Sequence, residues 1–317
     1  MSAAVRQPRK LRHRRADDAV VPPGPSSVDL HTHSTRSDGV LEPEVLAAAA
    51  AAAGVRLLAI ADHDTLAGYR GLARGGDRTL PDGLRLLAAV EINAVTPPGL
   101  DVPDGELHML GYGVDPDDDA FEAALSRQRD ARRIRFGRTV DRLRELGLPI
   151  DEQVARLDPS DEDALGRPTI ARCLIDAGFA ASVEDAFARL IGRGAPGYVP
   201  RQGLGPVDAI RAIRAAGGLP SLAHFAEAPA QVPLLRELRE AGLGGLEVYY
   251  RAFGAGTVAE LARVASSLAL VPTGGSDYHG DGITYAEQHA GLWVPPEVGD
   301  GLLAALPARV LRGRTSG

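Results

Sequence analysis

The stretch VDLHTHSTRSDG, residues 28–39, places two histidines, two aspartates and a glycine within twelve positions. The whole chain of 317 residues has only 8 histidines, so His31 and His33 form a local concentration of imidazole groups. Three interpretations are open: a polar turn, a pair of exposed strand residues, or a metal site. Alternate residues of a strand point to the same face, so the two histidines can bind one ion together.

Further side chains that can bind metal lie beside other short apolar runs of the sequence. We expect most of them to follow a strand: His63 after LLAIAD, Glu91 after LLAAV, His224 after LPSLA, and Asp277 and His279 after VPTGGS, with His108 early in LHML. In parallel α/β folds the carboxyl ends of the strands meet at one mouth, where sites are built. His108 fits this placement less well, because it lies early in its apolar run. Imidazole and carboxylate ligands suit Zn²⁺, Mn²⁺ or Fe²⁺, so the pattern favours a metal site, with Asp38 on the adjoining loop.

The elements that must position these residues alternate along most of the chain. Short apolar runs that predict buried strands include SVDL, VRLLAIADHD, LRLLAAVEIN, ELHMLGYG, LPSLAHF, GLEVYY and LALVPTGG. Helices are predicted over 230–241, over 256–267, and over EPEVLAAAAAAAG, where Pro43 suits the first turn and Gly54 the end. Alternating strands and helices predict an α/β fold with a mainly parallel sheet, open or closed into a barrel.

The middle of the chain has a different pattern. From about residue 116 to about 202 the strand signals stop, and the sequence predicts one long helix followed by shorter ones near 168–177 and 182–191. We therefore expect a discontinuous barrel domain, 28–115 and 203–310, interrupted by an α-helical insertion, 116–202, that caps the substrate. Residues 1–27 are basic and have no apolar core of a secretory signal, so we expect a disordered leader.

Composition excludes several classes of function. The formal net charge of −7 argues against a protein that coats nucleic acid, and Lys10, the one lysine, lies in the polar leader. A Schiff-base lysine and a Walker-type phosphate loop are therefore excluded. Cys173 is the only cysteine, so no disulfide can form within the chain, and its apolar helical surroundings predict a buried thiol. No apolar run is long enough to span a membrane, so we expect a cytoplasmic protein.

The same motifs carry a family resemblance. DLHTHSTRSDG, ADHDT, VEIN, LHMLGYG, LAHF and GSDYHG, in this order, resemble the motifs of the PHP (polymerase and histidinol phosphatase) superfamily of phosphoesterases. LAHF has Phe225 where the family usually has proline. GRPTIARCLIDAGFAASVEDAF and GAPGYVPR resemble the branch of nucleoside mono- and 3′,5′-bisphosphate phosphatases and 5′→3′ exoribonucleases. The resemblance implies a distorted (β/α)₇ barrel, the PHP fold, with metal ions at its mouth.

Transferred position by position, the resemblance implies ligands for two to three divalent ions (Mn²⁺, Zn²⁺ or Fe²⁺). The implied groups are His31, His33, Glu91 and Asp277 for the first ion; Glu91, His108 and His224 for the second; and Asp38, His63 and His279 for the third. The implied catalytic residues are Glu91, His224 and Asp277. Asp62 and Asp64 flank His63 and either orient it or, for Asp64, form a turn before Thr65.

Arginines of the insertion are candidates for binding a substrate phosphate. The long predicted helix has eight arginines, of which Arg132 and Arg135 lie on one face and match an R-x-x-R feature of the branch. Arg167 matches the arginine of its GRP segment. A planar guanidinium binds phosphate through two parallel hydrogen bonds. The alternative is that these arginines form a solvated helix face. This alternative is favoured for most of the eight, whereas for Arg132 and Arg135 both interpretations stay open.

These observations predict a metal-dependent phosphoesterase that hydrolyses nucleoside mono- or 3′,5′-bisphosphates, or short RNA 5′ ends, with a metal-activated hydroxide. The alternatives are a histidinol-phosphate phosphatase and a non-enzymatic, metal-bound PHP module. GGSDYHG lacks the G-x-S-x-G pattern of a serine nucleophile and is interpreted as a metal loop. Aromatic residues make up only 4% of the chain, so we expect a nucleotide or short oligonucleotide as partner and no long nucleic-acid footprint. The oligomeric state stays open.

Overall fold

A computed structural model describes residues 26–75, 80–96, 100, 102, 105–157, 165–280 and 282–307. Most of the expected leader, residues 1–25, lies outside this part of the chain. The strands of the described residues are β1 Val28–Thr32, β2 Leu57–Ile60, β3 Arg85–Val95, β4 Glu106–Tyr112, β5 Leu219–Leu222, β6 Gly245–Tyr250 and β7 Val271–Gly275. Each overlaps one of the seven apolar runs, so the strand predictions are confirmed.

The seven strands form one sheet in chain order, which curves into a nearly closed barrel. Strands β1, β2 and β3 are mutually parallel, as are β5, β6 and β7, whereas β4 runs antiparallel to both β3 and β5. The two ends of the sheet meet where Thr32 pairs with Tyr278, and the N–H of His33 donates to the Tyr278 carbonyl over 2.9 Å. The expected α/β fold, a distorted barrel with a mainly parallel sheet, is confirmed.

The reversed strand β4 explains the unusual position of His108 in the sequence. Because β4 runs against its neighbours, its amino-terminal end lies at the mouth where the other strands end. His108 is the third residue of β4 and pairs with Asn93 of β3. The expectation that Glu91 follows a strand is wrong, since β3 continues to Val95. The antiparallel pairing with β4 provides backbone hydrogen bonds beyond the point where β2 stops.

Eleven α-helices lie in the described residues. They are α1 Pro43–Ala52, α2 Ala67–Gly75, α3 Asp119–Glu145, α4 Asp151–Val154, α5 Arg167–Asp176, α6 Val183–Ala186, α7 Pro206–Ala215, α8 Val232–Ala241, α9 Ala255–Ser267, α10 Tyr285–His289 and α11 Pro296–Ala305. Helix α1 begins at Pro43 as predicted, and Gly54 follows its end with a φ of 98°, a left-handed conformation that favours glycine. None of these helices is long and apolar enough to cross a membrane.

The insertion between β4 and β5 is helical, and its longest helix packs against two separate apolar clusters. Helix α3 has 27 residues and is capped by the preceding Asp118, whose side chain accepts the N–H of Phe121 over 2.8 Å. Phe121 belongs to the barrel cluster, whereas Leu143 near the other end packs with residues of the insertion alone. Arg132 and Arg135 lie between these contacts. The helix expected over 182–191 is α6 continued by a π-helical turn, Phe187–Ile191, and α4 was not predicted.

Candidate metal centre

The nine side chains that the sequence suggested as metal ligands come together at the mouth of the barrel. They form three groups, and within each group the potential ligand atoms lie within 4.8 Å of one another. The groups are His31, His33, Glu91 and Asp277; Glu91, His108 and His224; and His33, Asp38, His63 and His279. Glu91 joins two of the groups, as the resemblance implies. His33 also joins two, which the resemblance did not imply.

Glu91 lies at the centre of the arrangement and is only 1% exposed. Its Oε1 lies 2.8 Å from His108 Nδ1 and 3.3 Å from His224 Nε2. Its Oε2 lies 3.0 Å from His63 Nδ1 and 3.3 Å from His33 Nε2. The two carboxylate oxygens therefore face different histidines, which is the geometry that a ligand shared between two ions requires.

Three residues in the loops at the mouth of the barrel have strained backbones. Asp64, His224 and Asp277 have φ values of 56°, 29° and 50°, in the left-handed region that residues other than glycine rarely adopt. Local hydrogen bonds stabilise this geometry: the N–H of Asp277 donates to the His31 carbonyl over 2.6 Å, and Tyr250 donates to Asp277 Oδ2 over 3.1 Å. Such strain is typical of functional sites, where the surrounding structure fixes a conformation that the residue alone would not hold.

The charges of the site favour cations. Burial by itself raises the pKa of Glu91, but His63 and His108 hold this pKa well below its usual range. Burial opposes a charge on His279 as well, yet Asp38 and Asp277 beside it raise its pKa to about 10. The carboxylates therefore stay ionised at neutral pH and attract positive charge into a buried site.

Several buried atoms of the site make no hydrogen bond of regular geometry among the described residues. They are His31 Nε2, His33 Nε2, His63 Nδ1 and Asp38 Oδ1. A buried polar atom without a partner costs about 1–3 kcal/mol, so such atoms are expected where a ligand completes the site. All four belong to the groups described above, and imidazole with carboxylate is a donor set that divalent metal ions accept. The residues therefore fit bound divalent ions.

The aspartates beside His63 have other partners than that histidine. Asp62 accepts hydrogen bonds from the Ser34 N–H over 2.7 Å and from the Ser37 hydroxyl over 2.8 Å. Asp64 accepts from two arginines. In the described residues neither aspartate makes a hydrogen bond to the His63 ring, so the interpretation that they orient it is not supported.

A cluster of four arginines adjoins the metal centre, and the sequence singled out three of them. Arg132 Nη2 donates to Asp64 Oδ2 over 2.6 Å, and Arg201 Nη2 donates to the same oxygen over 3.0 Å. Arg135 Nη1 donates to Glu106 Oε1 over 2.9 Å. The fourth, Arg167, lies 3.4 Å from the same Glu106 oxygen.

These guanidinium groups are held inside the protein. Arg132, Arg135 and Arg201 are 6%, 7% and 9% exposed, which rules out the solvated-face interpretation for the two residues of α3. Burial by itself raises the pKa of Glu106, but Arg201, Arg167 and Arg135 together lower it to about 2. Arg201 was missed as a candidate, although it ends the segment GAPGYVPR that resembles the exoribonuclease and phosphatase branch.

Known proteins resemble this chain over most of its length, although no family model matches it. The chain is 31% identical over 275 residues to the 5′-3′ exoribonuclease Rnm of Salmonella typhimurium, covering 85% of this chain and 90% of that protein. It is 32% identical over 257 residues to the phosphoribosyl 1,2-cyclic phosphate 1,2-diphosphodiesterase of Eggerthella lenta, covering 80% and 94%. The chain belongs to the PHP superfamily of metal-dependent phosphoesterases.

A solved structure agrees with this membership. A protein of Bifidobacterium adolescentis whose structure is assigned as a metal-dependent phosphoesterase matches this chain with a TM-score of 0.76 at 31% identity. The match covers 92% of this chain and 100% of that one. This PHP protein is therefore a hydrolase of phosphoester bonds. The two sequence relatives are named for different substrates, so family membership fixes the type of bond broken and leaves the substrate to the site.

Proposed function

We propose that this PHP protein hydrolyses phosphate esters of nucleotides: nucleoside monophosphates, 3′,5′-bisphosphates or the 5′ ends of short RNA. The observation that carries the proposal is the cluster of buried arginines beside the metal centre, which can bind a second phosphate. Asn93 connects the two, because its Nδ2 lies 2.8 Å from His108 Nε2 and its Oδ1 accepts from Arg132 Nη2 over 3.4 Å. A substrate with two phosphates can thus place one at each site.

The arginine cluster has the charge and the free donors that a phosphate needs. Four guanidinium groups face two carboxylates, Asp64 and Glu106, so the cluster keeps an excess of positive charge. Arg132 Nε, Arg135 Nη2 and Arg201 Nε are buried without a hydrogen-bond partner in the described part of the chain. Phosphate oxygens accept from guanidinium groups in pairs. The two relatives support a substrate of this kind, because one is named as an exoribonuclease and the other for a phosphoribosyl cyclic phosphate.

We infer that the metal centre holds two to three divalent ions, Mn²⁺, Zn²⁺ or Fe²⁺, in the three groups of ligands described above. When bound, such ions lower the pKa of a coordinated water and neutralise charge on the phosphoryl group. The side chains of His108, His224 and Asp277 are 25%, 26% and 16% exposed, whereas those of His31 and His33 are fully buried. The substrate therefore approaches from the side of His108, His224 and Asp277.

We assign the reaction to Glu91, His224 and Asp277. Glu91 lies between two groups and would hold both ions at a fixed separation. His224 and Asp277 face the open side, where they can contact the reacting phosphoryl group. Tyr250 fixes the orientation of Asp277 through its hydroxyl. The division into a barrel, 28–115 and 203–310, and a substrate cap, 116–202, is part of this proposal, since α3 and α5 provide three of the four arginines.

The test is a comparison of substrates with the purified protein and added Mn²⁺. The substrates are AMP, adenosine 3′,5′-bisphosphate, histidinol phosphate and a 5′-phosphorylated trinucleotide. We expect the bisphosphate or the trinucleotide to have the highest kcat/KM, because only these can place phosphates at both the metal centre and the arginine cluster. A preference for histidinol phosphate would contradict the nucleotide proposal. No hydrolysis of any substrate with Mn²⁺, Zn²⁺ or Fe²⁺ would contradict the assignment of the metal centre.

A further inference from the structure

Glu247 is an acidic residue of β6 that points into the barrel, and its side chain is fully buried. Both of its carboxylate oxygens accept hydrogen bonds from residues of the metal centre. Oε1 lies 3.0 Å from His31 Nδ1, and Oε2 accepts the backbone N–H of His224 over 2.7 Å. His31 and His224 belong to different groups of the three described above.

We propose that Glu247 is a positioning residue that holds one ligand of each of two proposed ion sites. It fixes the ring of His31 through a side-chain hydrogen bond and fixes His224 through its backbone. This inference rests on the proposed metal centre. It adds a residue that contacts neither substrate nor ion and that acts through two ligands at once.

The contact with His31 determines which ring nitrogen is available to an ion. A neutral imidazole has one N–H, and a carboxylate can only accept, so Nδ1 must be the donor. The unprotonated Nε2 then points into the cluster, 3.3 Å from Asp277 Oδ1 and 3.5 Å from Glu91 Oε2. Hydrogen bonds of this kind between a carboxylate and a histidine ligand fix the tautomer and raise the basicity of the ligand.

The contact with His224 stabilises an uncommon backbone conformation. The φ of 29° at His224 lies in the left-handed region, which is strained for a residue with a side chain. The hydrogen bond from its N–H to a buried carboxylate is charge-assisted and offsets part of this strain. The rings of His31 and His224 lie nearly parallel, 15° apart with centroids separated by 5.8 Å. One carboxylate therefore sets the relative position of two ligands.

The variant Glu247→Gln tests this inference because it keeps the shape of the side chain and removes one acceptor. If the amide NH₂ faces His31, it donates to Nδ1, and the imidazole proton moves to Nε2, where it blocks the ion. If the NH₂ faces His224, two donors oppose each other and the strained backbone loses its support. Either arrangement damages one of the two ion sites.

The matched control is Thr273→Val. Thr273 pairs with Glu247 in the β6–β7 register and is equally buried, but its hydroxyl contacts Ser221, 3.0 Å away, rather than a proposed ligand. We expect Mn²⁺ to bind to metal-free Glu247→Gln at least 10-fold more weakly than to the wild type in calorimetric titration, the range typical for loss of such a partner. We expect the control to bind as the wild type does. The visible spectrum of bound Co²⁺ should also change in Glu247→Gln alone.

A second measurement is independent of how the variant folds. In the Zn²⁺-loaded wild type, long-range ¹H–¹⁵N NMR spectra should show His31 as the Nδ1–H tautomer. An Nε2–H tautomer, or wild-type Mn²⁺ affinity and stoichiometry in Glu247→Gln, would overturn the inference. These results differ from failure of the proposed function, in which the wild-type protein itself would bind no divalent ion.

Discussion

Arg132 of α3 donates to Asp64 over 2.6 Å, so the long helix of the insertion is joined to the loop that follows His63. Asp64 is fully buried, and Arg132 and Arg201 both contact it. Removing a charged partner from a buried ion pair typically destabilises a protein by about 3–5 kcal/mol. Variants that test phosphate binding should therefore keep the positive charge.

Arg135→Lys keeps the charge and removes the planar pair of donors. If Arg135 binds a phosphate other than the one hydrolysed, it binds the ground state and the transition state alike, so KM rises and kcat stays nearly constant. Loss of one charge-assisted hydrogen bond, about 1.5 kcal/mol, corresponds to roughly a 10-fold rise in KM for adenosine 3′,5′-bisphosphate. The KM for p-nitrophenyl phosphate, which has no second phosphate, should be nearly unchanged.

The control for this prediction is Arg138→Lys, an exposed arginine of the same helix, which should change neither KM. The effect of Arg135→Lys should shrink as salt is added, because the contact is ionic. Equal losses on both substrates would assign Arg135 to the reacting phosphoryl group. No loss on either substrate would contradict its role in binding.

Glu91→Gln should abolish most of the turnover and leave the fold intact. The amide keeps the size of the side chain but loses the negative charge that faces five histidines, so the ions that share Glu91 bind more weakly. Elemental analysis should find fewer divalent ions per chain than in the wild type, with an unchanged far-ultraviolet circular dichroism spectrum. The matched control is Glu227→Gln, an exposed residue three positions after His224. Normal metal content together with normal turnover would show that Glu91 is not a shared ligand.

Much of the metal centre could be predicted from the sequence because the ligands lie at the ends of apolar runs. This rule places His31, His63 and His224 without any knowledge of the fold. It fails to explain His108 and misplaces Glu91, because the pattern of apolar residues does not show whether two strands run parallel or antiparallel. The reversed direction of β4 brings His108 to the mouth from the opposite end of its strand.

The partners of the ligands were harder to predict than the ligands. Glu247 lies within the apolar run GLEVYY, and this acidic residue in a buried strand was the one available signal. Its contacts with His31 and His224 depend on how β1, β5 and β6 are arranged around the barrel, where β7 separates β6 from β1. Arg201 follows a turn-rich segment, and its contact with Asp64 joins residues 137 positions apart. Local sequence patterns do not show which residues far apart in the chain come into contact.

Cys173→Ala should cost about 1 kcal/mol or less in free energy of unfolding and leave the kinetic constants unchanged. The thiol is 3% exposed, as the sequence predicted, and packs among apolar residues of the insertion. Burial raises its pKa, so the reactive thiolate is disfavoured at neutral pH. Thermal unfolding followed by steady-state kinetics checks both parts. A large loss of activity at unchanged stability would reveal a chemical role for this residue.

Leu143→Ala tests the proposal that residues 116–202 form a separate cap. Leu143 is fully buried and packs with Ile170 and Leu174, which also belong to the insertion. Truncating a buried leucine to alanine typically costs about 2–5 kcal/mol. If the insertion has its own core, this loss opens the insertion locally and leaves the barrel folded. Limited proteolysis should then cleave the variant faster than the wild type within 116–202.

The arginine cluster and the metal centre should respond differently to Leu143→Ala. Arg132 and Arg135 of the cluster lie on α3, whereas every proposed metal ligand lies outside the insertion. We expect KM for adenosine 3′,5′-bisphosphate to rise while the Mn²⁺ affinity stays that of the wild type. The matched control is Leu243→Ala, another fully buried leucine, which belongs to the barrel cluster and should cause no preferential cleavage in 116–202. If Leu143→Ala instead weakens Mn²⁺ binding as much as it raises KM, the insertion and the barrel unfold as one cooperative unit. The cap would then be an integral part of the barrel domain.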